Sequence, residues 1–264
     1  MRINAVPSRF PLRFTLAALL ITALVGILLA GVAGVQWLHM SISAVAAIAL
    51  AILLRRHIGN VFILPKPRDA LLFGTPLLVY PMLTPLMTGG YNFALLSPQL
   101  VIYMASVGIY EEVLIHGIAM NLLVNRYVHA SREPALLRAA LVSSLLFGIL
   151  HLASILQNPH DRHWWAFKTS TVAFAFLISL GFAGLVVVTR SIWPAAIIHG
   201  VIDVFALNVG DPAALQQIVA RWWVNESLVA VAFCLPMAAY GVALLTRKVS
   251  PPPSAGDVAA CVVS

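Results

Sequence analysis

The chain has 264 residues, of which 61% are hydrophobic and only 9% are charged. Soluble domains carry about 25% charged residues, and the mean hydropathy here is +0.95, so the composition predicts an integral membrane protein and excludes an ordinary soluble domain. The formal net charge of +7 does not indicate nucleic-acid binding, because the basic residues lie in short segments between apolar runs and form no compact patch.

Apolar runs separated by short polar segments follow one another along the chain and predict an all-α polytopic protein with about eight transmembrane helices. A helix crosses about 30 Å of hydrocarbon in about 20 residues. The first run is longer than the apolar core of a cleaved signal peptide, so an uncleaved span is favoured. The predicted spans are approximately 14–35, a second that ends near residue 54, then 70–87, 98–123, 139–156, 169–188, 193–209 and 227–245.

The distribution of basic residues predicts the orientation of these spans. Thirteen of the sixteen Lys and Arg residues fall on one predicted side of the membrane, and the opposite side has only Arg162, Lys168 and Arg221. Because basic loops stay in the cytoplasm, both termini are predicted to be cytoplasmic. Many spans joined by short loops are typical of a prokaryotic inner (plasma) membrane, which is the predicted location.

The chain is predicted to form one integral membrane domain over residues 1–264, with no second domain. Within it, 1–97 would supply accessory N-terminal spans, 98–210 the catalytic core spans, 211–248 an interfacial helix and the last span, and 249–264 a disordered tail. The two cysteines, Cys234 and Cys261, provide neither a disulfide framework nor metal-ligand spacing.

Three of the predicted spans carry ionisable side chains at similar depth. Glu111 lies near the middle of the fourth span, His199 near the middle of the seventh, and His151 somewhat past the middle of the fifth. Ionisable groups at mid-membrane cost about 2.5–3.5 kcal/mol on insertion scales and usually face a polar interior. If these spans pack together, they form one polar cavity inside the membrane.

The two adjacent glutamates of the fourth span are predicted to have different neighbours. Residues four apart share a helix face, so Glu112 faces His116. Glu111 is rotated by about 100° from Glu112, given 3.6 residues per turn. One glutamate can therefore face the cavity, while the other pairs with His116 and holds the helix.

The same spacing links the other ionisable residues and suggests a chemistry. His199 faces Asp203, and Phe147 lies beside His151 as an apolar wall. A glutamate and two histidines without a serine or cysteine nucleophile indicate activation of water, since a partly desolvated glutamate is a better general base near neutral pH. A histidine with an aspartate can stabilise a developing oxyanion. The predicted reaction is hydrolysis of an amide bond reached from the membrane.

For each histidine alone, a hydrogen-bonded core residue without catalytic function is the simpler reading. The remaining histidines lie near predicted turns or loops and are expected to be solvated: His39, His57, His129, His160 and His163. The last four residues, Cys261-Val262-Val263-Ser264, match a prenylation box, but a match of four residues arises easily by chance.

Three elements of this chain resemble the CAAX prenyl protease and bacteriocin-processing family of intramembrane glutamic endopeptidases, also called the Abi family, which includes the Ras-converting enzyme. The family pattern is Glu-Glu-x-x-x-Arg, Phe-x-x-x-His and His-x-x-x-Asn/Asp, in that order and on separate helices. The corresponding elements here are Glu111-Glu112-x-x-x-His116, Phe147-x-x-x-His151 and His199-x-x-x-Asp203, and Trp193-Pro194 is also similar to the family.

The resemblance covers roughly residues 98–209 and implies specific roles. It implies that Glu111 activates water together with His151, and that His199 and Asp203 stabilise the oxyanion, with no metal cofactor. The implied substrate is a protein or peptide at the membrane, in contact with the lipid bilayer and not with nucleic acid. One departure is that His116 stands where the family has arginine, which changes the ion pair expected with Glu112.

Two other functions remain open at this point. A metal-dependent membrane hydrolase could use His151, His199 and Glu111 as zinc ligands, although no His-Glu-x-x-His pair is present; sensitivity to a chelator would separate it from a glutamic protease. A non-enzymatic membrane protein, such as a partner-binding or immunity factor on the same scaffold, would keep its phenotype when Glu111 is replaced by alanine.

Overall fold

The computed structural model describes residues 36–88, 91–129, 135–152, 162–208 and 226–247. Within these ranges the elements are helices, which confirms the predicted all-helical class. The α-helices are α1 (Gln36–Leu53), α2 (Arg55–Ile58), α3 (Pro67–Thr88), α4 (Pro98–Glu112), α5 (Met120–His129), α6 (Ala135–Leu150), α7 (Arg162–Thr189), α8 (Trp193–Ile202) and α9 (Glu226–Thr246).

Two π-helical segments interrupt or extend these helices. The first π segment, Val113–Ala119, joins α4 to α5, and the second π segment, Asp203–Asn208, continues α8. A 3-10 turn at Phe93–Leu95 precedes α4. Helix α4 then begins where the sequence favours it: the Ser97 side chain accepts a hydrogen bond from the Leu100 amide at 3.1 Å, and a proline occupies the first turn.

Two helices among the described residues are long and apolar enough to cross a membrane, Pro98–Val128 with 31 residues and Thr171–Thr189 with 19. Shorter apolar helices occupy Trp37–Leu53, Ala135–Leu150, Trp193–Phe205 and Cys234–Thr246. The predicted number of eight spans is therefore not confirmed. The predicted first span, the interfacial helix and the tail lie outside the described residues.

Helices α4 and α7 form the centre of the fold. Helix α4 packs against α1 and α8, while α7 packs against α6 and α9. The largest fully buried side chains include Phe182 and Leu185 of α7, Ile118 of the first π segment and Ile202 of α8. The start of α8 is tied to the segment before α3, because the Ile192 amide donates to the Val61 carbonyl oxygen at 3.0 Å.

The first turns of α1 correct one prediction. His39 was expected to be solvated, but it is only 5% exposed, and its Nε2 atom has no hydrogen-bond partner within the described part of the chain. The prediction was wrong because the helix already begins at Gln36, so the stripe of residues spaced by four, His39, Ser43, Ala47 and Ala51, faces the protein interior.

Candidate active site

Glu112 lies at the centre of the polar cluster and is 1% exposed. Its Oε2 atom is 2.6 Å from Nδ1 of His116, and its Oε1 atom is 2.8 Å from Nδ1 of His199. Because an ionised carboxylate only accepts hydrogen bonds, both Nδ1 atoms donate to it. Glu112 therefore ties the first π segment to α8, and the pairing with His116 is the one that the spacing predicts.

His199 has a carboxylate at each of its nitrogens. Its Nε2 atom lies 3.5 Å from Oε2 of Glu111 and 3.5 Å from Oδ2 of Asp203. The side chain of Glu111 is 25% exposed, whereas that of Glu112 is enclosed. The two adjacent glutamates thus contact opposite edges of one imidazole ring. Of the two, only Glu111 is also partly exposed at the surface of the protein.

Aromatic rings hold the imidazole rings from their faces and edges. Phe182 of α7 stacks on His199 with ring centroids 5.2 Å apart and an angle of 18° between planes. Phe147 of α6 meets His151 edge-on at 4.7 Å and His199 at 6.1 Å. Phe147 consequently forms the wall that the sequence predicts, and it bridges the two histidines.

His151 is oriented by its own helix. Its Nδ1 atom lies 2.9 Å from the carbonyl oxygen of Phe147. A carbonyl oxygen can only accept, so Nδ1 carries a proton, and Nε2 is the ring nitrogen left for another contact. His151 also interacts electrostatically with Asp203.

Both π segments begin at residues of the cluster. The first follows Glu112 directly, and the second starts with Asp203. Single π turns inside α-helices are often found at functional sites, because they displace carbonyl groups and re-aim side chains. Here the side-chain amide of Asn121 donates to the carbonyl oxygens of His116 and Gly117, at 2.9 and 3.0 Å, and so compensates for the altered backbone pattern.

Close contact between α4 and α8 brings the two glutamates of α4 next to His199 of α8. A Cβ atom added to Gly108 would lie 2.6 Å from the Ala196 carbonyl oxygen and 2.8 Å from the Gly200 amide nitrogen. A Cβ atom added to Gly200 would lie 3.1 Å from Cα of Ala105. The crossing point is one turn from Glu111 and Glu112 and next to His199, so its spacing sets their separation.

Sequence reasoning missed three residues of this region: Phe182, Ser144 and Ser179. Both serines are fully buried. The Ser179 hydroxyl is 3.1 Å from Nε2 of His116 and donates to the Ser144 hydroxyl at 3.0 Å. A serine or phenylalanine inside an apolar run is common in membrane helices, so the sequence offers no distinctive signal for them.

The predicted site residues thus lie together in one cluster. Within the described ranges, no group of three or more His, Cys, Asp and Glu side chains has an arrangement that could hold a metal ion. Two phenols, Tyr103 and Tyr110, lie within electrostatic range of Glu111.

One comparison with known proteins gives a family. Residues 93–205 match the model described as type II CAAX prenyl endopeptidase Rce1-like. Neither the curated proteins nor the solved structures contain a significant match to the chain. The matched segment extends from the 3-10 turn into the second π segment and includes every residue of the cluster described above. Over this segment the match supports the predicted family, and the Rce1-like family is a protease family of integral membrane proteins.

Proposed function

We propose that the protein is an intramembrane endopeptidase that hydrolyses a peptide bond of a membrane-associated or lipid-modified protein or peptide, with water activated by Glu111. The observation that carries the proposal is the contrast between the two adjacent glutamates. Glu112 uses both oxygens on histidines inside the protein, whereas Glu111 is partly exposed and 3.5 Å from His199. Glu111 is the carboxylate that can meet water and substrate.

Glu111 and His151 supply the base chemistry in this proposal. Glu111 accepts a proton from the attacking water, and positioned general bases contribute about 10²–10⁴-fold to rate. His151 orients the same water through Nε2, because its Nδ1–H is directed to the Phe147 carbonyl oxygen. The proton then passes to the leaving amine, so that the water oxygen forms the new carboxyl group as the peptide bond breaks.

His199 and Asp203 stabilise the oxyanion in this proposal. The Nε2 atom of His199 faces the carboxylates of both Glu111 and Asp203 at 3.5 Å, an environment that favours a proton on that nitrogen. Glu112 and Phe182 fix the ring, so the Nε2–H donor is aligned before the substrate arrives. Aligned donors of this kind are often the largest contribution to rate in acyl transfer, about 10²–10³-fold for one donor.

The single test of the activity is Glu111→Gln, compared with the parent on a fluorogenic peptide that carries a prenylated cysteine in a CAAX sequence. The variant keeps size and hydrogen bonding but removes the base, so we expect cleavage to fall by about 10²–10⁴-fold at unchanged protein level. Asp69→Asn is the matched control, because Asp69 lies in the first turn of α3, away from the cluster, and should cleave at the parental rate.

Three results would contradict the proposal in different ways. Near-parental cleavage by purified Glu111→Gln protein would refute the base assignment. Loss of parental cleavage in a chelator, with recovery on adding zinc, would favour the metal-dependent hydrolase. If the parent cleaves no such peptide, and no peptide accumulates uncut in cells that lack the protein, a non-enzymatic partner-binding or immunity role is favoured.

We also propose that the chain spans a prokaryotic inner membrane about eight times with both termini in the cytoplasm. The basis is the bias of thirteen of the sixteen basic residues to one side. A reporter fused after Lys248 should be active in the cytoplasm, and one fused near Gln157 should be active on the other side. Activity of both reporters on the same side would refute the eight-span arrangement.

A further inference from the structure

Two buried serine hydroxyl groups belong to the hydrogen-bonded cluster but have no part in the proposed hydrolysis. Ser144 of α6 and Ser179 of α7 have no exposed surface, and together they connect to the edge of His116 opposite Glu112. The connected groups run from Ser144 through Ser179 and His116 to Glu112 and on to His199, with separations of 3.0, 3.1, 2.6 and 2.8 Å.

The number of available protons determines the state of His116. A serine hydroxyl has one proton, and Ser179 donates it to Ser144. Toward His116, Ser179 can therefore only accept, so Nε2 of His116 carries a proton. Its Nδ1 atom faces an oxygen of Glu112, which also accepts. Both ring nitrogens are donors, and a ring with two N–H groups is a cation.

We propose that the Ser144–Ser179 pair holds His116 as an imidazolium ion, which takes the place of the arginine in the family pattern and keeps Glu112 ionised and oriented toward His199. Ser144 and Ser179 are positioning residues in this scheme. The protonation state stands on the hydrogen bonds alone, while the effect on turnover rests on the proposed function.

The burial of Glu112 explains why a cation next to it would be favourable. An ionised carboxylate in a dry interior is costly unless it is paired with a charge and fully hydrogen-bonded. Within the described ranges Glu112 forms no salt bridge with a lysine or arginine; its two hydrogen-bonded neighbours are His116 and His199. The other charged groups near His199 are Glu111 and Asp203. These are carboxylates, so they favour cationic rings in the cluster.

Nitrogen NMR on the full-length protein in lipid nanodiscs tests the proposal without any substrate. With ¹⁵N-labelled histidine, the His116 signals are identified as those that disappear in His116→Gln. We expect both nitrogens of His116 in the parent to be protonated at neutral pH. In Ser144→Ala the Ser179 proton is freed to point at Nε2, so that nitrogen should become unprotonated and the ring neutral.

Ser143→Ala is the matched control. Ser143 is the adjacent residue on α6 and equally buried, but its hydroxyl donates to the Ala140 carbonyl oxygen of its own helix at 3.1 Å. It should leave the His116 signals unchanged. Turnover should fall about tenfold in Ser144→Ala, with KM unchanged, as expected for weakening one hydrogen bond to a charged group, and stay parental in Ser143→Ala.

An unprotonated Nε2 in the parent would overturn the proposal, because it would mean that Ser144 donates to Ser179 and Ser179 donates to a neutral ring. The parent spectrum alone gives this result, so the test does not depend on any variant folding. A doubly protonated ring that persists in Ser144→Ala would overturn the role of the serine pair. Normal spectra combined with full cleavage by Glu111→Gln would instead refute the proposed function and leave the charge assignment intact.

Discussion

Two helix crossings in this protein use glycine in the same way but have different surroundings. At the α4–α8 crossing, a Cβ atom on Gly108 would lie 2.6 Å from a carbonyl oxygen of the facing helix. At the α7–α9 crossing, a Cβ atom on Gly184 would lie 2.6 Å from the Gly241 carbonyl oxygen, and one on Gly241 would overlap that of Leu180. Close approach of backbones through small residues is the usual way for membrane helices to pack.

What differs is the side chains next to each crossing. Beside α4 and α8 lie Glu111, Glu112 and His199, whereas the neighbours of the α7–α9 crossing are apolar and include Leu180, Met237 and Leu244. The glycines allow close helix packing at both crossings. Only at the α4–α8 crossing does this packing set the positions of charged side chains. The same glycine-to-alanine change should therefore affect catalysis at one crossing and stability at the other.

Gly108→Ala should have the largest effect on catalysis. The added methyl group meets backbone atoms of α8, which cannot move aside as a side chain can, so α4 and α8 must separate. Misplacing catalytic groups by about 1 Å can cost about 10²-fold, and we expect at least that loss of cleavage by folded, inserted protein. The measurement is kcat/KM per active-folded molecule, with folding checked by circular dichroism and gel filtration.

Gly117→Ala is the control for this change. Gly117 is also buried and lies in the first π segment, which continues α4. A Cβ atom there would meet nothing closer than Cγ2 of Val61 at 3.6 Å, an ordinary contact. Its cleavage should remain close to parental. If Gly108→Ala cleaves as fast as Gly117→Ala, the α4–α8 crossing does not set the geometry of the cluster.

Gly241→Ala should mainly reduce stability. Its methyl group would overlap the Leu180 carbonyl oxygen, and overpacking of this kind typically costs about 1–3 kcal/mol. We expect a lower midpoint of thermal inactivation in detergent, with kcat/KM of the folded fraction unchanged. A loss of kcat/KM as large as that of Gly108→Ala, without loss of stability, would show that the two crossings are not distinct in function.

The sequence predicts the pairings that depend on helical spacing. Glu112 with His116, His199 with Asp203 and Phe147 with His151 are each four residues apart, and each pair is in contact in the structure. The similar depth of these ionisable residues in separate apolar runs also predicts that they lie together, since ionisable groups inside a membrane usually face the protein interior and pair with one another. Helical spacing and the cost of burying a charge can both be inferred from a single sequence.

Contacts between helices could not be predicted in the same way. The bond from Glu112 to His199 joins residues 87 positions apart, and no periodicity within either run indicates which glutamate makes it. The Ser144–Ser179 pair joins two helices and reaches His116 on a third segment, so no single apolar run predicts it. His39 was misplaced for the same reason, because exposure near a helix start depends on what packs there.

His116→Arg should have the smallest effect and sharpens the account of the polar crossing. Arginine stays charged at any working pH, so the variant gives Glu112 a permanent cation in place of the imidazolium proposed above. We expect cleavage within about tenfold of parental at neutral pH, because the longer side chain must fit a buried space. The measurement is kcat/KM at matched protein levels.

His116→Gln serves as the neutral partner of that experiment, because glutamine can still donate to Glu112 but carries no charge. It should lose more activity than the arginine variant at neutral pH, since removing one partner of a buried charge pair leaves the other uncompensated. Cleavage by His116→Gln as fast as cleavage by His116→Arg would show that a charge at position 116 is not needed, and the crossing would need only a hydrogen bond at this position.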